Sequence, residues 1–498
     1  MSKVNIPRII VSGLRGGSGK TILSLSLISI FRKKGLKVTP FKKGPDYIDA
    51  GWLALAAGRE CFNLDLFMMT PAQALQSFIS HTADNTEIAV IEGNRGLYDG
   101  VDHEGTYSTA GLSKLIKAPA ILVVDCTKVT GTVAAMVLGC RMLDPDVPIK
   151  GVVLNNIAGS RQESVIRKAI EHKCGLPVVG AFPKLKKELF PERHMGLTPF
   201  QEHLEVNEAI DAIAEIGAKY LDIDAILKVA EGADEIRTGV RGHRSGELHS
   251  KFKTSNSQHP KIGVIKDSAF QFYYPENLEE LQKRGAEIVE VSALTRKKLP
   301  DIDALYIGGG FPETHAIALA ENEAFKKSLL KAIKKGLPVY AECGGLMYLG
   351  KSLVLDNKTY PMVGALPLVF SLENKPQAHG YTIVEVQNNN PFFEKGASFK
   401  GHEFHYSRVL ETEGDDAHMK PHFSKRGQGG FSEQIYMAFK MKRGKGIKNG
   451  LDGICYKNVL ATYTHLHALG CPEWADGMIK CASEFKGKRG LPGYVNSK

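Results

Sequence analysis

The stretch that most constrains this chain is Val11–Thr21, which reads Val-Ser-Gly-Leu-Arg-Gly-Gly-Ser-Gly-Lys-Thr. It follows the apolar run Ile9–Val11. It leads into residues 21–34, where Ile22, Leu23, Leu25, Leu27, Ile28, Ile30 and Phe31 are apolar. A strand, a glycine-rich turn and a buried helix in that order point to layered α/β structure. Gly13, Gly16, Gly17 and Gly19, with Arg15 and Ser18, form a turn whose backbone N–H groups cradle phosphates in front of the helix N-terminus. Lys20 would reach the terminal phosphates, and Thr21 would hold Mg2+ on them.

The spacing is a variant. The ordinary phosphate loop has glycine five residues before Gly-Lys, and Leu14 stands there. Arg15–Thr21, with the earlier Gly13, fits the P-loop branch that includes the ParA/MinD and dethiobiotin synthetase families. Arg15 occupies the place where some members carry a second lysine. Further apolar runs at 38–41, 88–91, 120–124, 151–154 and 177–179 alternate with helical stretches, which predicts a parallel, doubly wound sheet. Residues 237–259 are rich in Arg, Lys, Gly and Ser, as an exposed linker would be. A second alternating series starts at 261–265 and continues at 287–291, 304–308 and 338–342. The expected organisation is a synthetase domain over 1–235, a basic linker over 236–259, a second α/β domain over 260–486, and a disordered tail over 487–498. Residues 411–450 read as loops and short strands.

Ligands of doubly wound sheets sit at the carboxyl ends of the strands, and the polar motifs follow the runs. Gly44-Pro45 turns the chain after the second run, which sets Asp46 and Asp49 where a carboxylate could hold Mg2+. Glu92 directly follows the third run, as a Walker-B-type acid does. Arg95 and Asp99 lie in a glycine-bracketed loop able to close over a substrate, and Tyr47 and Tyr98 join them as candidates. Asp125 is a second metal neighbour or a cap. Asn155 and Asn156 end a later run, as base readers or as a plain turn.

In the second series, Cys343 follows Leu337-Pro-Val-Tyr-Ala-Glu342 and precedes Gly344-Gly345. That is a nucleophile elbow with sulfur in place of oxygen. A helix N-terminus favours thiolate, and the glycines permit the strained turn. Gly308–Gly310 end an earlier run, where their N–H groups, with that of Gly344, could form an oxyanion hole. His402, His405, His465 and His467 are all candidate bases. A thiolate with a histidine partner and an oxyanion hole performs acyl transfer.

Composition narrows the class. Eight cysteines in 498 residues, with no C-x-x-C pair, argue against a disulfide scaffold or zinc ribbon. No apolar run approaches the roughly 18 residues of a membrane span, and the N-terminus lacks a secretory pattern. A cytoplasmic enzyme is expected, with no membrane and no nucleic-acid partner. The net charge of +10 suits a polyanionic small molecule and does not by itself select one.

With these residues in view, the chain resembles the cobyrinic acid a,c-diamide synthase family. The matching stretches are Pro40–Asp49, Glu92–Gly100, Glu192–Pro199, Phe272–Asn277, Ala304–Glu313, Ala341–Leu349, Gly401–Ser407 and Asn458–His467. The resemblance implies a P-loop NTPase-like, dethiobiotin synthetase-like domain joined to a class I glutamine amidotransferase-like domain. It implies that Cys343 attacks glutamine with His465 as base, with Gly309, Gly310 and Gly344 as oxyanion hole. Mg-ATP, on Gly13, Arg15–Thr21 and Asn155 with metal at Thr21, Asp46 and Glu92, would phosphorylate a tetrapyrrole carboxylate that ammonia then converts to an amide. His467 stands two residues after His465, where many such enzymes carry glutamate, so a Cys343–His465 dyad is expected. Arg15, Gly16, Asn94 and Arg95 depart from the usual family motifs. The expected substrate is cobyrinate, with siroheme or (nickel) sirohydrochlorin as the alternative and a homodimer as one open assembly. A ParA/MinD-like switch, which would need no elbow, is the competing class.

Overall fold

In the first half, apolar runs buried on both faces become parallel strands. A computed structural model describes residues 3–83, 85–185, 192–193, 196–197, 206–237, 259–410 and 435–489. These residues form two compact units, one before and one after 238–258.

The first unit has strands β1 Arg8–Gly13, β2 Val38–Lys43, β3 Phe62–Leu64, β4 Ile88–Glu92, β5 Ala120–Asp125, β6 Ile149–Ile157 and β7 Val178–Pro183. They form one parallel sheet in the order β3-β2-β4-β1-β5-β6-β7. The sheet is doubly wound, and strand alternation shows how. Ile9, Val11, Ile88, Val90, Ile121 and Val123 pack under helices α1 Lys20–Lys33, α2 Ile48–Ala57, α7 Val206–Tyr220 and α8 Ile223–Glu231. Ile10, Ala89, Ile91, Ala120, Leu122 and Val124 face α3 Pro71–Ala83, α4 Thr109–Leu115, α5 Thr132–Leu143 and α6 Ser160–Cys174. β1, central in this sheet, delivers the glycine loop between its neighbours β4 and β5.

The second unit starts as a parallel sheet and continues antiparallel. The strands of this main sheet are β8 Lys261–Ile265, β9 Glu287–Val291, β10 Ala304–Ile307, β11 Val339–Glu342, β12 Ala378–Val386, β13 Ser398–His405, β14 Tyr436–Arg443, β15 Leu451–Tyr456, β16 Val459–Thr462 and β17 His465–Leu466. The order is β9-β8-β10-β11-β16-β15-β14-β12-β13-β17. The strands β9 to β16 at one end are parallel, and the rest are antiparallel. Helices α9 Pro275–Lys283 and α12 Pro472–Arg489 cover one face with Leu281, Trp474 and Met478, and α10 Glu323–Lys334 covers the other with Phe325, Leu329 and Ile333.

Boundaries differ in places from the expectation. Ile236 and Arg237, expected as linker, pair with Lys3–Val4, and Ile236 is buried. Residues 238–258 and the expected loops at 411–430 lie outside the described residues, as does the tail beyond Arg489. β14 is an eight-residue strand inside the region expected to be loops and short strands. α12 continues past Lys486 to Arg489, whose guanidinium pairs with Asp301 and Asp303 and donates to the Ile302 carbonyl. Of Glu192–Pro199, only the backbone pairing of Glu192–Arg193 with Gly196–Leu197 is described. Among the described residues, no helix is long and apolar enough to cross a membrane.

Candidate active sites

Three loops meet at the carboxyl end of β1. The glycine loop takes left-handed backbone at Gly17 and Gly19, with φ of 72° and 99°. A Cβ on Gly19 would lie 2.4 Å from the Asn155 amide, so only glycine fits there. Asn155 Nδ2 donates to the Ser18 carbonyl (2.9 Å), and Lys20 Nζ and Ser18 Oγ both donate to the Arg15 carbonyl (3.2 and 3.0 Å). Asn155 therefore props the loop from β6. The loop after β4 is stitched alongside: the Gly93 and Leu97 amides donate to the Val11 and Gly13 carbonyls (2.8 and 2.7 Å). A Cβ on Gly96 would meet the Leu14 carbonyl at 2.6 Å, and one on Gly44 would meet the Asn94 amide at 2.9 Å. Thus the 44–49 turn, the 93–99 loop and the glycine loop form one cluster.

Within it, Thr21 Oγ1 donates to Glu92 Oε1 (2.8 Å). Lys42, a residue the sequence reading passed over, donates to the same oxygen (2.8 Å) and to Asp49 Oδ2 (2.7 Å). Burial opposes the Lys42 ammonium, yet Asp49, Glu92 and Asp46 outweigh it and hold its pKa well above the ordinary value. Burial and the neighbouring Asp49 push the Asp46 carboxyl up to about 7, and its Oδ1 accepts from the Asp49 amide (2.9 Å). Burial raises Glu92 as well, and burial together with Lys42 lowers Lys20. The signal for Lys42 lay in register, because β2 pairs Lys42 directly with Glu92 of β4.

Mg2+ fits this residue set. Glu92 Oε2 is buried without a hydrogen-bond partner, beside the Thr21 hydroxyl on Oε1. Among the described residues, no group of three or more His, Cys, Asp or Glu side chains is arranged to hold a metal ion by itself. That matches a cation held by one or two carboxylates together with nucleotide phosphates.

The remaining candidates have local partners. Arg15 reaches Asp125 Oδ2 (2.8 Å). Asp125 also accepts from Thr127 and Asn156, and these bonds outweigh partial burial to bring its pKa down to about 2. Asp125 Oδ1 thus closes the turn at 125–127. Asp99 Oδ2 accepts from the Gly96 amide (2.8 Å), closing its own loop, and Arg95 has φ of 51°. Tyr98 OH donates to the Cys140 carbonyl, and burial pushes it up to about 12. Tyr47 precedes α2.

In the second unit Cys343 joins β11 to the short helix α11 Gly344–Leu349 with φ of 46° and ψ of −99°. This is strained backbone for a residue with a side chain. The Cys343 amide donates to the Thr462 carbonyl of β16 (2.8 Å), and the Gly345 amide to the Gly308 carbonyl (3.1 Å). A Cβ on Gly345 would stand 2.5 Å from the Ile307 carbonyl, and one on Gly344 3.0 Å from the Gly310 amide nitrogen. A Cβ on Gly309 would meet the His465 ring at 2.5 Å. The glycine turn, the elbow and His465 therefore crowd together.

The Cys343 thiol hydrogen-bonds to His465, whose Nδ1 lies 3.3 Å from Glu342 Oε2. Burial opposes the imidazolium, but these bonds and charges win and push His465 up to about 10. His402 stacks on His465, with centroids 4.9 Å apart and planes 19° apart, and burial holds it well below the ordinary histidine value. His405 stacks on Tyr463 and is pushed down to about 4 by burial. His467 faces Glu276 (3.6 Å).

Comparison with known proteins assigns both units. The CobQ/CobB/MinD/ParA nucleotide binding domain matches residues 9–196, and the CobB/CobQ-like glutamine amidotransferase domain matches residues 261–472. The first unit is thus a nucleotide-binding domain. A cobyrinate a,c-diamide synthase of Magnetococcus marinus is 39% identical over 470 residues, covering 94% of this chain and 96% of the relative. One from Archaeoglobus fulgidus is 39% identical over 484 residues, covering 97% and 99%. One from Methanosarcina barkeri is 36% identical over 510 residues, covering 98% and 98%.

Proposed function

The chain belongs to the cobyrinate a,c-diamide synthase family, and from this we propose that it is a glutamine-dependent ligase that converts the a and c acetates of cobyrinate to amides at the expense of ATP. The observation that carries the reading is the Cys343–His465 hydrogen bond at a strained elbow, in the same chain as a phosphate loop.

The chemistry divides between the units. Cys343, its thiol proton held by His465, attacks the side-chain amide carbon of glutamine through Sγ. Amides near Gly309, Gly310 and Gly344 face the developing oxyanion. His465 then protonates the departing nitrogen, ammonia leaves, and water hydrolyses the thioester to glutamate. In the first unit a substrate carboxylate oxygen attacks the terminal phosphate of ATP, giving an acyl phosphate and ADP. Ammonia displaces phosphate and leaves the amide. A carboxylate needs this step because its oxygen is otherwise a poor leaving group. Lys20, Ser18 and the loop amides hold the phosphates. Thr21, Glu92 and Asp46 would hold Mg2+, which when bound neutralises phosphate charge. In this reading the substrate would be met by Tyr47 and by the 93–99 loop with Arg95, Tyr98 and Asp99.

The test is purified protein with Mg-ATP, glutamine and cobyrinate, with products read by mass. Two carboxylates becoming amides is the expected result, and no gain of amide overturns the reading. Cys343→Ser removes synthesis from glutamine and leaves synthesis from high ammonia. Loss of both in a folded protein overturns the division of labour.

A further inference from the structure

Acid support for a catalytic histidine commonly comes from a carboxylate that fixes its tautomer and balances the imidazolium. The position two residues after His465 holds His467, which is fully buried and turned elsewhere. Its Nε2 lies 3.6 Å from Glu276 Oε1, its Nδ1 accepts from the Leu469 amide (3.3 Å), and its ring packs 4.8 Å from that of Tyr274.

A carboxylate nevertheless reaches His465, from the strand that carries the nucleophile. Glu342 is the last residue of β11, directly before Cys343, and is fully buried. Its Oε2 lies 3.3 Å from His465 Nδ1 and accepts from Tyr306 OH (3.1 Å), and its Oε1 accepts from the Leu466 amide (3.3 Å). One carboxylate therefore grips both the ring of His465 and the backbone of its neighbour. Among the described residues, the only ion pair recorded for Glu342 is with His465. A buried carboxylate without a cation is costly, so this position favours the charged imidazole.

We infer that Glu342 is the positioning residue of His465, holding Nδ1 so that Nε2 takes the proton of the Cys343 thiol, in place of an acid two residues after the histidine. The other groups facing His465 do not perform this task. Cys343 is the proton donor. His402, stacked on the ring, and His405, on the same strand β13, are both held neutral by burial. The inference rests on the glutaminase reading above.

The test is the pH dependence of Cys343 alkylation by iodoacetamide in the full chain, located by peptide mass, with Cys343→Ser as background. Glu342→Gln moves the rising limb of this profile upward by about one pH unit or more. It lowers glutaminase kcat by about tenfold or more, with KM for glutamine and ammonia-dependent synthesis nearly unchanged. Glu342→Asp, which restores a shorter carboxylate, falls between the two. A limb in Glu342→Gln that coincides with the unsubstituted protein overturns the inference. Should Glu342→Gln fail to fold, an unmoved limb in Glu342→Asp overturns it equally. Alkylation needs no substrate, so the outcomes separate. A shifted limb in a protein that releases no ammonia from glutamine strikes the glutaminase reading and leaves the role of Glu342 standing.

Discussion

Lys42 places a buried ammonium between the carboxylates of Asp49 and Glu92, with the Thr21 hydroxyl on the same Glu92 oxygen. Removing it leaves two carboxylates unbalanced, one of them fully buried. Lys42→Met is therefore expected to destabilise the first unit by about 3–5 kcal/mol and to lower ATP-dependent synthesis by about 100-fold or more. Glutaminase activity at Cys343 should stay within about twofold, because that chemistry belongs to the other unit. Adding Glu92→Gln should recover melting temperature without recovering synthesis, and calorimetry beside both assays checks this. At this scale the sequence announced Cys343, Lys20 and Glu92, since each sits where a strand meets a glycine turn. Lys42 and Glu342 stayed hidden. A lysine or glutamate at a strand end reads as solvated until register and neighbouring strands bury it.

The elements were legible wherever both faces of a strand are covered, because such strands are continuous apolar runs. β4, β5 and β8 lie within a residue of where those runs place them, and so does β9, an edge strand with exposed Glu287 and Glu290. β3 escaped notice because three residues carry no periodicity. The antiparallel half of the second sheet escaped for another reason: β14 exposes Lys440, Lys442 and Arg443 in its second half and buries Met437, Ala438, Phe439 and Met441. Such half-covered strands look like charged loop. The elbow gives the element-scale prediction. A Cβ at position 345 would meet the Ile307 carbonyl and Cβ at 2.5 and 2.9 Å, atoms of a core strand that cannot swing aside. Gly345→Ala is expected to cost about 1–3 kcal/mol and to abolish glutaminase activity, while nucleotide affinity measured by titration calorimetry is unchanged.

Each unit has cores of its own on the two faces of its sheet, so unfolding of the whole chain is not one two-state event. One buried group in each unit titrates with the opposite sign to the other. His405 titrates near 4 when folded and near 6.5 when free. The unfolded chain binds more protons in that window, so its contribution is present above about pH 6.5 and is lost as pH falls towards 4, by up to about 3 kcal/mol. Asp46 is raised to about 7 from 3.8. Its contribution is present below about pH 4 and is lost as pH rises through 7. Scanning calorimetry from pH 4.5 to 7.5 should show His405→Gln flattening the acid-side loss in the second unit. Asp46→Asn should remove the alkaline-side loss in the first.

The bonds from Asn155, Ser18 and Lys20 that brace the glycine loop bear on how a nucleotide arrives. A loop that had to be shaped by its ligand would spend binding free energy on ordering itself, and would close slowly. This one is tied by Asn155 from β6, two strands away in the sheet, through bonds made within the protein itself. The conformational entropy was lost when the protein folded, so contact with the phosphates goes into affinity. Association is then governed by diffusion and orientation rather than by a rearrangement of the cradle.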